Sequence, residues 1–262
     1  MHFDIEKEKQ NVKFMLEKRQ LPKLTAEVVI DLDVSGSTQG MYLSGIMQNA
    51  VQRIVPVVLN FDDNGDAPVY TFNDGNDFDL LNVHLTAKNY SDYVSKQIVR
   101  NGSISRWGGT AYAPVLVQNL RDVGLYATKP ATVTAPKKGF FGAISSMISH
   151  ESTSGHETFQ QKSRFGFPLV VQFITDGDNE DRDKDPTRNL LKACADSNVP
   201  AYFNFIGVGD SNFYFLKEIG DAYPNVGFAQ IVDIEKASSD ESIYEYLIPK
   251  ELTTWLHDYM GK

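Results

Sequence analysis

Cysteine is nearly missing from this chain of 262 residues: Cys194 stands alone. A single thiol excludes an internal disulfide and any cysteine-based metal cluster. It sits in the helix-like run Leu190-Leu191-Lys192-Ala193-Cys194-Ala195 and reads as a buried structural thiol. Histidine is scarce too, and His2, His84, His150, His156 and His257 show no metal-ligand spacing. Positive charge is outnumbered, with 25 Lys and Arg against 34 Asp and Glu and a formal net charge of −9. That balance argues against nucleic acid or an anionic membrane as a general partner. No apolar run approaches the length of a membrane span. The opening Met1-His2-Phe3-Asp4-Ile5-Glu6-Lys7 carries no apolar signal segment, so a cytoplasmic protein is expected. No P-loop, dinucleotide fingerprint or Gly-x-Ser-x-Gly elbow is found.

What is present suits a globular α/β protein. Hydrophobic residues make up 42% and charged residues 23%, ordinary for a soluble domain able to bury a sizeable core. Residues 26–33 read as a strand apolar on both faces, hence central in a covered sheet. Residues 43–61 read as a helix, with Ile46, Ala50, Ile54, Val58 and Phe61 on one face and a kink expected at Pro56. Strands at 68–73 and 79–84 flank Asn73-Asp74-Gly75-Asn76-Asp77, a hairpin turn that makes one strand antiparallel. Helices are expected near 88–98 and at 112–125. From 168 onward strands at 168–175, 200–206 and 227–232 alternate with helices at 186–197, 211–220 and 240–259, the last broken at Pro249. Segment 5–20 is ambiguous: its charges suit a solvated helix, while Val12, Phe14 and Leu16 alternate like a strand. The expected fold is a single doubly wound, mostly parallel sheet with one antiparallel edge strand and helices on both faces. One domain covers 1–262, with an N-terminal segment 1–24 and an insertion at about 127–167.

Three separated stretches carry oxygen ligands. Asp33-Val34-Ser35-Gly36-Ser37 follows the apolar run Val28-Val29-Ile30, Thr110 follows Gly108-Gly109, and Asp176 lies in Ile174-Thr175-Asp176-Gly177 after Leu169-Val170-Val171. Two carboxylates and three hydroxyls suit one hard divalent cation, Mg²⁺ or Mn²⁺ rather than Ca²⁺. Both aspartates follow strands, and ligand sites of open α/β sheets lie beyond the carboxyl ends of strands. Gly36 is expected to allow a tight turn between the serines, and Gly108-Gly109 a close backbone approach before Thr110. Taken singly, each serine or threonine would read as a helix cap.

The set Asp33, Ser35, Ser37, Thr110 and Asp176 meets in full the metal-ion-dependent adhesion site pattern, and the chain resembles the von Willebrand factor A family. It is similar in particular to the bacterial tellurite-resistance subgroup. That likeness rests on Leu16-Glu17-Lys18, Val51-Gln52-Arg53-Ile54-Val55-Pro56, Phe61-Asp62-Asp63-Asn64-Gly65, Gly108-Gly109-Thr110, Phe173-Ile174-Thr175-Asp176-Gly177 and Phe205-Ile206-Gly207-Val208-Gly209. The resemblance implies that Ser35 and Ser37 bind the ion directly, while Thr110 and Asp176 exchange direct for water-mediated contact. An ion with so few direct carboxylates keeps much of its charge and attracts an Asp or Glu from a protein partner. The expected function is therefore a non-enzymatic, metal-dependent protein-binding module in a tellurite or stress-resistance system. Two alternatives stand beside it: a metal-dependent hydrolase of phosphate esters, and an assembly subunit whose metal is purely structural.

The stretch Asp178, Glu180, Asp181, Asp183 and Asp185 is unusually acidic and departs from the family pattern. It lacks the glycine and glutamate of a calcium loop and reads as a polar turn that repels acidic partners or holds a second, weak cation. Asp62-Asp63-Asn64-Gly65-Asp66 fails the same test, and Gly207-Val208-Gly209 reads as a turn into the next helix. The insertion opens with linker-like Ala127 to Lys138. Phe140, Phe141, Ile144, Met147 and Ile148 then form one apolar helical face that is expected to pack on its own domain, the alternative being a partner-docking or membrane-surface helix, for which only Lys137 and Lys138 supply charge.

Overall fold

The computed structural model describes residues 3–21, 25–62, 64–130, 155–233 and 242–261. A six-stranded sheet runs in the order β10-β9-β8-β1-β3-β4. Its strands are β1 (Glu27–Asp33), β3 (Val69–Phe72), β4 (Phe78–Leu80), β8 (Leu169–Thr175), β9 (Ala201–Val208) and β10 (Val226–Ile231). Every neighbour pair is parallel except β3 with β4, the antiparallel edge made by the hairpin, with Phe72 opposite Phe78. Short β2 (Asp66–Ala67) pairs with β5 (Leu85–Thr86) beside it.

The two-residue period of the strands sorts the core into two layers. Val28, Ile30, Leu32, Val170, Ile174 and Ile206 face α1 (Ile5–Lys18), α3 (Ile46–Phe61), α7 (Ser242–Leu247) and α8 (Lys250–Met260). Val29, Val171, Phe173, Phe203 and Phe205 face α4 (Ala113–Asp122), α5 (Asp181–Asp196) and α6 (Tyr214–Ala222). Helices thus cover both faces, and Cys194 is fully buried among the second set, where burial pushes its thiol pKa up.

Several expected boundaries shift for identifiable reasons. Segment 5–20 is helical: Asp4 accepts the Glu6 and Lys7 N–H groups, and Val12 and Leu16 are buried in the core layer that holds α3. The helix expected at 43–61 is two helices, α2 (Gln39–Ser44) and α3, because Gly45 between them takes φ 86°, a left-handed value that ends the first. The helix expected near 88–98 is shortened: turns occupy its first half, and helical backbone begins at 93 and ends in a π-helical turn, Ser95–Val99. Helix α5 starts at Asp181 rather than 186, its first turn carrying Asp181 and Asp183, the charge that a helix N-terminus favours. Helix α6 starts at Tyr214 because Phe213 stands at φ 49°. The Phe213 ring lies so close to Gly207 that a Cβ there would meet it at 2.8 Å, so Gly207 makes room for a ring as well as serving the turn completed by Gly209. The break at Pro249 separates α7 from α8 as expected.

The ends of the insertion are a paired ribbon, not a linker. β6 (Tyr126–Pro130) and β7 (Gly155–Phe159) run antiparallel with Tyr126 opposite Phe159, their rings 5.0 Å apart. The apolar face of Phe140, Phe141, Ile144, Met147 and Ile148 lies outside the described residues.

Candidate metal centre

Strands β1 and β8 are adjacent and parallel, with Leu32 opposite Ile174, so Asp33 and Asp176 leave the sheet side by side. Asp33 is fully buried. Its Oδ1 accepts the Ser35 N–H at 2.7 Å and its Oδ2 the Thr175 hydroxyl at 2.6 Å. Ser35 Oγ lies 3.2 Å from Ser37 Oγ, which donates to Asp176 Oδ1 at 2.7 Å. Four of the five expected ligands thus form one polar chain with a carboxylate at each end.

Thr110 joins through backbone. The Gly36 N–H donates to the Gly108 carbonyl at 2.9 Å and the Trp107 N–H to the Val34 carbonyl at 2.7 Å, which sets the second loop against the first. Among the described residues no hydrogen bond links the Thr110 hydroxyl to the other four. The Thr110 N–H instead donates to Glu180 Oε1 at 2.7 Å, and the Glu180 N–H to the Thr110 carbonyl at 3.0 Å. The close approach expected at Gly108-Gly109 is present: a Cβ on Gly108 would meet Asn73 Oδ1 at 2.9 Å, and one on Gly109 would overlap Glu180 Oε1. Gly36 is different. Its φ is not left-handed, and a Cβ there would make ordinary contact with the Trp107 carbonyl at 3.5 Å, so no tight turn demands glycine.

The acidic stretch is built into the frame of the site, and the polar-turn reading is corrected by helix α5 and by its hydrogen bonds. Asp178 accepts the Phe215 and Leu216 N–H groups at the start of α6. Glu180 holds Thr110 and pairs at 2.6 Å with Arg182, which also pairs with Asp74. Asp183 Oδ2 accepts from the Tyr112 N–H, the Ala113 N–H, Asn179 Nδ2 and the Thr187 hydroxyl, all within 2.9 Å. Asp181 and Asp185 pair with Lys184 and Arg188. Asn179, Asp183 and Thr187 recur every fourth residue, a helical spacing that would have marked them as one cluster in the sequence. Thr175 and Tyr112 were also missed. The Tyr112 hydroxyl donates to the Gly177 carbonyl at 2.6 Å, and its ring packs on Phe72, Phe173 and Phe205.

Burial pushes the Asp33 carboxyl up to about 6, against the hydrogen bonds from Ser35 and Thr175, and Asp176 adds a small repulsion. Asp176 is raised as well, chiefly by burial. Among the described residues no salt bridge reaches either carboxylate. A buried anion held only by neutral donors carries a desolvation cost that a cation would offset. The oxygen-only donors beside it are those a hard ion takes. Among the described residues no group of three or more His, Cys, Asp or Glu is placed for a metal. The present set has two carboxylates and draws its other oxygens from hydroxyls, so it fits Mg²⁺ or Mn²⁺ without such a group.

A mostly parallel sheet with paired aspartates and serines at its carboxyl end defines an α/β domain of the von Willebrand A class. The profile of the family described as "vWA found in TerF C terminus" matches residues 25–140 and 150–262, and the chain belongs to that family. It is 30% identical over 262 residues to the uncharacterized protein YcbR of Bacillus subtilis (strain 168), covering 98% of this chain and 88% of that protein. Among solved structures it is similar in fold to a von Willebrand factor type A protein from Catenulispora acidiphila, with TM-score 0.50 and 15% identity over 88% of this chain. The chain spans 43% of the length of that structure. A proximal thread matrix protein from the mussel byssus also matches, with TM-score 0.47 and 15% identity over 84% of this chain and 47% of that one. Family membership supports a protein-interaction module. Among the described residues no helix is long and apolar enough to cross a membrane.

Proposed function

We propose that this domain is a non-enzymatic binding module that holds Mg²⁺ or Mn²⁺ through Asp33, Ser35, Ser37, Thr110 and Asp176 and captures a protein partner through the partner's Asp or Glu. The observation that carries this reading is the polar chain from buried Asp33 through Ser35 and Ser37 to Asp176. When bound, the ion would supply positive charge for an incoming carboxylate. The chain's own residues do the rest. Thr175 and the Ser35 N–H fix the Asp33 carboxylate, Glu180 fixes the Thr110 backbone, and exposed Ser37 leaves the centre open to an approaching group.

A phosphate-ester hydrolase is less well supported, because the carboxylates that would activate water are already engaged: Asp178 with α6, Glu180 with Thr110 and Arg182, Asp183 with four donors. A role in a bacterial tellurite or stress-resistance system rests on kinship with the TerF-type domain alone. The test is affinity capture with the whole chain in MgCl₂ and in EDTA, alongside Asp33→Ala. A partner held in Mg²⁺ and lost in EDTA and in the variant supports the reading. A partner retained in all conditions would leave the ion a structural role only.

A further inference from the structure

Trp107, three residues before Thr110, has a backbone that its own side chain disfavours. It stands at φ 68°, in the left-handed region. A bulky L residue is a rare occupant there, because its Cβ crowds the main chain. Glycine takes the same conformation without strain. Backbone strain of this kind persists only where the surroundings impose it, and it gathers at functional sites.

The surroundings that impose it lead to the metal centre. The Trp107 ring meets the Tyr42 ring edge-on, with centres 5.6 Å apart. Tyr42 is buried, and its hydroxyl donates to the Asp33 carbonyl at 2.9 Å. The Trp107 ring therefore rests on a side chain bonded to the main chain of a proposed metal ligand. On the other side the chain is anchored by Arg106, whose Nη1 donates to the Ile98 and Val99 carbonyls at 2.6 and 2.7 Å, at the end of the π-helical turn. Between these anchors the two loops are joined by two bonds, Trp107 N–H to the Val34 carbonyl and Gly36 N–H to the Gly108 carbonyl. The Trp107 φ sets how the chain leaves the first bond and arrives at the second. A turn of this backbone to the right-handed region that a free tryptophan prefers would redirect the chain toward Gly108 and part the loops.

We propose that Trp107 is a positioning residue of the metal centre: its ring, seated on Tyr42, holds the left-handed turn that docks the Thr110 loop on the loop of Ser35 and Ser37. It acts through those ligands, so the role rests on the metal centre proposed above.

The test is Mn²⁺ titration calorimetry, and amide hydrogen exchange in EDTA, on the whole chain. Wild type is compared with Trp107→Gly, Trp107→Asn and Trp107→Phe. Glycine and asparagine both accept left-handed backbone but remove the ring, and phenylalanine keeps a ring for Tyr42. Trp107 is half-buried in a loop, so the variants should fold, and melts in EDTA check this. We expect the ringless variants to bind Mn²⁺ about tenfold more weakly, the usual scale for groups that orient metal ligands, and Trp107→Phe to bind close to wild type. In EDTA, exchange at the Gly36 N–H should be about tenfold faster in the ringless variants and unchanged in Trp107→Phe. A merely structural role would lower their melting temperature and move neither readout. Wild-type Mn²⁺ affinity and wild-type Gly36 exchange in the ringless variants overturn this role alone. So do equal losses in all three variants, which mark general packing. A wild type that binds no Mn²⁺ overturns the metal centre and this role with it.

Discussion

The Ser37 hydroxyl donates to Asp176 Oδ1 across 2.7 Å, although the two residues are 139 positions apart in the chain. This bond joins the loops that follow β1 and β8 and links two of the residues proposed to hold the ion. Ser37 is exposed, and a hydrogen bond contributes only about 0.5–1.5 kcal/mol net. Ser37→Ala should therefore cost the cation-free protein no more than about 1.5 kcal/mol by that measure, while shrinking the gain in melting temperature on adding Mg²⁺. Asp33→Ala should abolish the gain, since a ligand that binds only the native state stabilises it by mass action. Melts of both variants with and without MgCl₂ check this, and an undiminished gain in Asp33→Ala would remove the site assignment.

The pH dependence of the metal-free protein follows from Asp33, whose carboxyl burial pushes up from 3.8 to about 6. The folded state binds this proton more tightly than the unfolded chain does. Asp33 therefore contributes stability that is fully present below about pH 4 and lost as pH rises through about 6. A divalent cation favours the ionised form and reverses the preference. The difference in melting temperature between Mg²⁺ and EDTA should be small at pH 5 and largest above pH 7. A difference that does not change across that range would separate Asp33 from the ion.

Asp183 should prove structural. Its Oδ2 accepts four hydrogen bonds, two of them from the backbone where α4 begins. Asp183→Ala leaves those buried donors unpaired, at about 1–3 kcal/mol for each group not reached by water. We expect a loss of about 3 kcal/mol in urea unfolding after partial relaxation. A loss below about 1 kcal/mol would show that the cluster is resolvated rather than held.

The insertion should be removable inside its ribbon and not outside it. Pro130 faces Gly155 across β6 and β7, so joining 130 to 155 by a short Asn-Gly turn keeps the pairing. Loop closure changes slowly with length, so this deletion should fold with a melting temperature within a few degrees of the parent. Deleting 129–164 removes all of β7, the Phe159 ring beside Tyr126, the Gln160 N–H bond to Leu125 and the Arg164 N–H bond to Val123. That longer deletion should be the less stable of the two in parallel melts. Equal stability would show that the ribbon contributes little.

Substitution of Thr110 should separate partner binding from ion binding. Its backbone is fixed by Glu180, so Thr110→Ala should leave the loop in place and remove only the hydroxyl. Titration with Mn²⁺ should show a smaller loss for the ion than affinity capture shows for the partner. A partner bound equally by wild type and Thr110→Ala would exclude the hydroxyl from the bound arrangement.

Local pattern was enough for much of this protein. A continuous apolar run marked β1 as a central strand, since a strand covered on both faces needs no polar alternation, and alternation with helices marked β8, β9 and β10 as strands. The hairpin turn at Asn73–Asp77 announced the antiparallel edge, and the three loop motifs named Asp33, Ser35, Ser37, Thr110 and Asp176 with the loops that hold them. The remainder depended on contacts between distant residues. Segment 5–20 had no decisive period of its own and became a helix because Val12 and Leu16 find a core layer shared with α3, while Glu8 pairs with Arg53 and accepts the Tyr244 hydroxyl. The acidic run after Asp176 looked like a repulsive surface because charge is read residue by residue in a sequence. Only the fold brings Asp178 to the start of α6, Glu180 to Thr110 and Asp183 to the start of α4, where backbone N–H groups await an acceptor. Asp31 reads as one polar letter inside an apolar strand. Its burial against Asn119, 88 positions away, exists only once α4 has packed on the sheet.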